Sequence, residues 1–198
     1  KKNFYDNDKI LFKRGDIFFG PFLMGGIFNK EELIYIGSYG DENLEKPIIS
    51  GASILENTDA WEYKNGLYIL DLTKNENFSG ISEEYKVDYN VGFFRDEYGN
   101  IYGNRKKSLD LLEKDGDFYI EDGLMYLKIS QSPKNILGKI RLAYNNRLIT
   151  LHANIVMSGI IFEDTGGYAI WGMPINSCVK DCIIRNVGGS YANISEGT

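Results

Sequence analysis

Four identities recur at a single offset of 22 positions near the end of this chain: Asn154 with Asn176, Ile161 with Ile183, Gly166 with Gly188, and Gly167 with Gly189. Apolar character follows the same offset, pairing Met157 with Val179, Ile160 with Cys182 and Phe162 with Ile184. Gly159 falls against Asp181 at an expected bend, and one inserted residue brings Tyr168-Ala169 into line with Tyr191-Ala192. Short apolar runs, bends and a Gly-Gly turn at a fixed period describe the coil of a solenoid. Three short strands cannot bury their inner faces alone, so coils must stack at about 4.8 Å and share one continuous core. The asparagine pair then predicts a side-chain amide ladder between neighbouring coils.

The preceding 145 residues lack this period but carry strand and turn signals. Aromatic residues make up 14% of the chain, and Gly 22 stands beside Pro 4, a balance suited to short strands and tight turns. Strands are expected at 10–12, 17–20, 33–36 and 47–50, with a turn at Lys13-Arg14-Gly15-Asp16 between the first two. From Trp61 to Ile129 the pattern reads as hairpins, turning at Gly99-Asn100 and at Asp122-Gly123, the latter a strong two-residue hairpin signal. Ser108 to Glu113 predicts one short helix capped by Ser108 and ended by Gly116. Residues 1–145 therefore read as a β-rich start with inserted hairpins, and 146–198 as regular coils.

Charge and cysteine content exclude several classes of function. Lys+Arg 22 against Asp+Glu 28 gives a net charge of −6, and Arg105-Lys106-Lys107 is too short a basic stretch to bind nucleic acid. The longest charge-free apolar run, Ile17 to Asn29, is interrupted by glycine and proline and falls short of the roughly 18 residues of a membrane helix. One histidine and two cysteines are too few for a Cys/His zinc site. In one extended segment, Cys178 and Cys182 lie about 13 Å apart, beyond disulfide reach, and read as packed thiols. The chain opens on Lys1 with no apolar leader, as a processed or excised chain would.

Several stretches resemble bacterial right-handed parallel β-helix proteins of the pectate-lyase-like superfamily. They are ILFKRGD at 10–16 with Phe18 and Gly20, IGSYG at 36–40, KPIISG at 46–51 and KDGDFYIEDGLMYLK within 112–128. The segments VMSGIIFEDTGGYAIWG at 156–172 and VKDCIIRNVGGSY at 179–191 extend the likeness. The resemblance implies an all-β, right-handed parallel β-helix solenoid with inserted antiparallel hairpins and at most one or two short helices. It implies the N-terminal part of a secreted or cell-surface protein, with coils continuing past Thr198 and an open end able to self-associate.

The resemblance places Tyr168 to Gly172 on a strand that often floors a glycan groove, beside Leu148 to His152 and Tyr191 to Ser195. With Ile149, Ile170 and Ile194 inward, alternation sends Thr150, Trp171 and Ser195 outward in a row. Trp171 becomes a sugar platform, with Tyr168, Thr150, Ser195 and His152 beside it. The plainer readings are a surface aromatic, a hydrogen-bonded structural histidine and tyrosines stacking between coils. Lyases of this kind use an Arg or Lys base, often with Ca²⁺, and hydrolases use paired carboxylates.

By residue type, Lys180, Arg185 and Arg141 are candidate bases, and Glu163, Asp164 and Asp181 candidate acids or metal ligands. Each also reads as an ordinary solvated residue. The expected function is polysaccharide lyase or glycoside hydrolase action with the catalytic coils mostly beyond residue 198, the alternative being a non-catalytic glycan-binding or adhesin module. The Arg14-Gly15-Asp16 tripeptide sits at a strand-linking turn, and Asn77-Phe78-Ser79 and Asn193-Ile194-Ser195 match the glycosylation pattern as short polar stretches do by chance.

Overall fold

Three pairs of residues in left-handed backbone, each 22 positions apart, recur in the repeating segment. They are Asn154 and Asn176 (φ 61° and 51°), Gly159 and Asp181 (71° and 53°), and Asp164 and Asn186 (56° and 53°). Asn, Asp and Gly tolerate this region better than other residues, so sequence chemistry places these backbone turns. The computed structural model describes residues 8–22, 33–55, 60–75, 91–145, 147–151, 154–172 and 174–189.

The described residues are mostly β-strand, with almost no helix. One parallel sheet has the order β1 (Lys9–Lys13), β3 (Ile34–Tyr39), β15 (Ile155–Ser158) and β18 (Cys178–Lys180). A second has the order β2 (Ile17–Phe19), β4 (Ile48–Ser50), β16 (Ile161–Thr165) and β19 (Ile183–Val187), again parallel. A third pairs β14 (Arg147–Leu151) with β17 (Tyr168–Gly172), and Phe22 adds a parallel bridge to Ile149. Along the chain these sheets are visited in the same order, and each new pass lies beside the previous one.

The predicted offset is the observed register. Met157 pairs with Val179, Ile161 with Ile183 and Phe162 with Ile184. Between the sheets lie Ile34, Ile36, Ile49, Ile149, Ile155, Met157 and Phe162, all nearly or fully buried. Each such side chain contributes about 1.5–3 kcal/mol relative to exposure. Phe12 meets Phe18 and Phe22 edge-on at 4.9 and 5.5 Å beside this core.

Between β4 and β14 the chain leaves these sheets and forms two largely antiparallel ones. The first has the order β5 (Ala52–Leu55), β13 (Ile140–Ala143), β8 (Phe93–Arg95) and β9 (Ile101–Tyr102). The second has the order β10 (Asn104–Arg105), β11 (Asp117–Glu121), β12 (Leu124–Leu127), β7 (Leu67–Asp71) and β6 (Glu62–Lys64). Leu70, Phe94, Phe118, Met125, Leu127 and Leu142 form their separate core. The expected turn at Asp122-Gly123 joins β11 to β12 with both residues at positive φ, 50° and 76°, as a two-residue hairpin requires.

The excursion is clasped where it departs and returns. The Asn145 side-chain amide donates to the Gly51 carbonyl at 2.9 Å, while the Gly51 N–H donates to the Glu163 carbonyl and that of Gly166 to the Asn145 carbonyl. A Cβ on Gly51 would stand 2.7 Å from the Asp164 carbonyl oxygen, so only glycine permits this approach.

Two expectations are corrected. The helix anticipated at 108–113 is a single 3₁₀ turn over Leu109–Leu111, and the Ser108 side chain makes no capping bond. One α-helical turn instead spans Pro133–Ile136, with proline at its start where its missing N–H costs nothing. Cys178 is exposed rather than packed; Cys182 is half-buried, burial raises its thiol pKa, and both thiols are free. Among the described residues no helix is long and apolar enough to cross a membrane.

Candidate functional site

The sheet of β14 and β17 brings together the residues read as a groove floor. Ile149 pairs with Ile170 and Thr150 with Trp171. Ile149 is fully buried and Ile170 packs against the same core, whereas Thr150 is half-buried and Trp171 is 49% exposed. Tyr168, half-buried, stands opposite Arg147. His152 and Ser195 lie outside the described residues, as do Tyr191, Ile194 and both glycosylation patterns.

Arg147 joins this face without having been singled out by its sequence context. Its guanidinium carbon lies 4.7 Å from the centroid of the Trp171 ring, within cation–π range. The contact steadies the indole and puts a positive charge beside it. Only the pairing of β14 with β17 brings the two residues close, since 24 positions of chain separate them.

The candidate acids and bases are distributed elsewhere. Glu163 and Asp164 on β16 are both buried, at 3% and 0% exposure. Arg95, from β8 of the excursion, donates to both Asp164 carboxylate oxygens at 3.0 and 2.9 Å and approaches Glu163 at 3.8 Å. Arg185 on β19 holds the other side of Glu163 at 2.6 Å and reaches Glu45 at 3.3 Å. Asn186 adds its amide to Asp164 at 3.4 Å.

Burial pushes the Asp164 carboxyl pKa up, and neighbouring Glu163 adds to the rise; Arg95 opposes both. The bond to Glu163 raises the Arg185 pKa. Two buried acids held by two arginines satisfy the electrostatic demands of docking the excursion on β16.

Asp181 pairs with Lys46 at 2.7 Å, a bond that lowers its carboxyl pKa. Lys180 is exposed on β18, and Arg141 is half-buried on β13 opposite Arg95. The structure thus brings Glu163, Asp164 and Arg185 together, while Asp181 pairs instead with Lys46 and Arg141 stands opposite Arg95. Among the described residues no three His, Cys, Asp or Glu side chains converge as a metal site, and Glu163 and Asp164 are already neutralised. Arg14 donates to the Leu44 carbonyl at 3.1 Å, and its tripeptide forms the turn between β1 and β2.

No family model matches the chain, and no curated protein matches it. Among solved structures it is similar to a protein titled "Glycoside hydrolase", at TM-score 0.40 and 12% identity, over 79% of this chain and 43% of that one. The chain therefore spans less than half the length of that protein.

Proposed function

We propose that this chain is part of a right-handed parallel β-helix of the pectate-lyase-like kind, in a secreted or cell-surface protein, and that it binds polysaccharide along the outer face of β14 and β17. The repeated order of three parallel sheets supports the β-helix reading, and crossover connections between parallel strands are right-handed in about 98% of cases. The observation that carries the binding role is the in-register row of Thr150 and Trp171, with an indole half exposed and steadied by Arg147. An aromatic face flanked by hydroxyl and guanidinium donors suits a sugar ring, which offers apolar C–H faces and polar rims.

Polysaccharide lyase or glycoside hydrolase chemistry belongs, in this reading, to the complete protein. A second reading, a glycan-binding or adhesin-type module without turnover, is favoured for these residues by one observation: Glu163 and Asp164 are spent on arginines, and Asp181 on Lys46. A glycan array probed with the chain, with and without Ca²⁺, and repeated with Trp171→Ala tests the proposal. Binding is expected to fall at least tenfold in the variant while circular dichroism is unchanged. Equal binding by the variant overturns the assignment to this face.

A further inference from the structure

Asn65-Gly66 is the single place in this chain where asparagine is followed by glycine. The pair forms the two-residue turn between β6 and β7, with Lys64 opposite Leu67 and both turn residues at positive φ, 52° and 82°. Such a turn needs residues that tolerate left-handed backbone, and Asn-Gly meets that need. The same pair carries a latent reaction, because the carbon of the asparagine side-chain amide is an electrophile within reach of the next backbone nitrogen.

The fold leaves both reacting groups unengaged. Asn65 is exposed, and among the described residues neither its side-chain amide nor the Gly66 N–H makes a hydrogen bond. Glycine puts no side chain in the path of the attack. Other asparagines are held by their side-chain amides at 2.7 to 3.1 Å: Asn100 on Asp96, Asn104 on Asp117, Asn145 on the Gly51 carbonyl and Asn176 on Asn154. Each of these four is also followed by a residue that carries a side chain.

We propose that Asn65 is a site of spontaneous deamidation and backbone isomerisation, with water as the co-reactant. The Gly66 nitrogen gives up its proton and bonds to Asn65 Cγ; the bond from Cγ to Nδ2 breaks, and that nitrogen leaves with the proton as ammonia. Water then opens the five-membered imide at one of its two carbonyls. One opening gives aspartate. The other gives isoaspartate, which routes the main chain through the former side chain and so adds a methylene to the turn. Either product adds one negative charge to a chain already at −6. A two-residue hairpin turn has no slack for an inserted atom. Strand β6 ends its sheet beside β7, and all three of its residues are exposed, so little burial opposes its release by the isomerised turn.

Ageing the full 198-residue chain in neutral buffer, followed by proteolysis and peptide mass mapping, tests this. The peptide containing residue 65 is expected to gain the mass of an amide-to-acid exchange before those containing Asn100, Asn104 or Asn176, and to accept methyl groups from a protein isoaspartyl methyltransferase. Asn65→Gly keeps the turn and should abolish both signals there. Gly66→Asn retains tolerance of positive φ while crowding the attacking nitrogen, and conversion at 65 should slow roughly tenfold. A Cβ at position 66 meets nothing nearer than the Lys128 ammonium at 4.0 Å, so the variant has room to fold, and unchanged circular dichroism confirms it. Amide hydrogen exchange over residues 62–64 should quicken in the isoaspartate form. Conversion at 65 in urea but not in the folded chain, a rate indifferent to Gly66→Asn, or unchanged exchange over 62–64 would each overturn the proposal.

Discussion

Asn176 donates its side-chain amide to the side-chain oxygen of Asn154 at 2.7 Å, one full repeat away, and both residues hold left-handed backbone. One residue type thus meets two demands, a tolerated positive φ and a bond between successive passes of the chain. Asn176→Ala loses both and is expected to cost about 2 kcal/mol, whereas Asn176→Gly keeps the backbone freedom and costs about 1 kcal/mol or less. Urea denaturation of the two variants gives the order, and equal losses would show that the backbone conformation contributes nothing.

This relationship was legible because it is periodic. Identities at one offset reveal register without any structure, and the Asp122-Gly123 hairpin was legible because two adjacent residues determine its turn. The Thr150–Trp171 row needed the resemblance to place its strands before alternation could set the two residues on one face. The Arg95 link to Asp164 was not legible: the two lie 69 positions apart, and one belongs to an excursion with no period. Arg147 escaped notice for the same reason. Ser108 misled because a cap signal needs a helix long enough to be worth capping, and Leu109–Leu111 makes a single turn.

Removing the Arg95 guanidinium strands a buried carboxylate. Arg95→Ala leaves Asp164 in a fully buried site beside Glu163, and about 3 kcal/mol of stability is expected to go with it. Asp164→Asn in the same background should restore part of the loss. The pH dependence has a definite sign. Because the Asp164 pKa is raised in the folded chain from its ordinary 3.8, its contribution to stability is full below that value and is lost as pH rises through the raised one. Arg95 opposes that rise, so Arg95→Ala widens the window and should gain stability on mild acidification relative to the wild type. Thermal melts at pH 4 to 7 measure this; a variant whose deficit does not shrink toward low pH would refute the assignment.

Asp117 behaves in the opposite sense. Its buried carboxylate accepts from the backbone N–H groups of Glu113 and Lys114 at 3.0 and 2.9 Å, from the Asn104 amide at 3.1 Å and from Lys106 at 3.3 Å. Burial alone would raise its pKa, but the two backbone bonds and Lys106 together outweigh burial and lower it below 3.8. The stability it contributes is present above that value and is lost as pH falls through the lowered one. Asp117→Ala is expected to cost about 2 kcal/mol at neutral pH. The cost should shrink in strong acid, and melts recorded below pH 4 decide the point.

Gly172 links the strand pairing to the proposed binding face. It sits at φ 137°, and a Cβ there would stand 2.3 Å from the Leu151 carbonyl oxygen, the neighbour with which it pairs. Backbone cannot yield as a flexible side chain would, so Gly172→Ala must push β17 away from β14 at the end that carries Trp171. A loss of about 2 kcal/mol is expected from the strained backbone and broken ladder. If the Trp171 face binds glycan, Gly172→Ala should weaken that binding even though it deletes no contacting side chain. Indole fluorescence titrated with the glycan identified on the array separates the two effects. Unchanged affinity in a folded Gly172→Ala variant would show that the registry of Thr150 with Trp171 does not matter to the ligand.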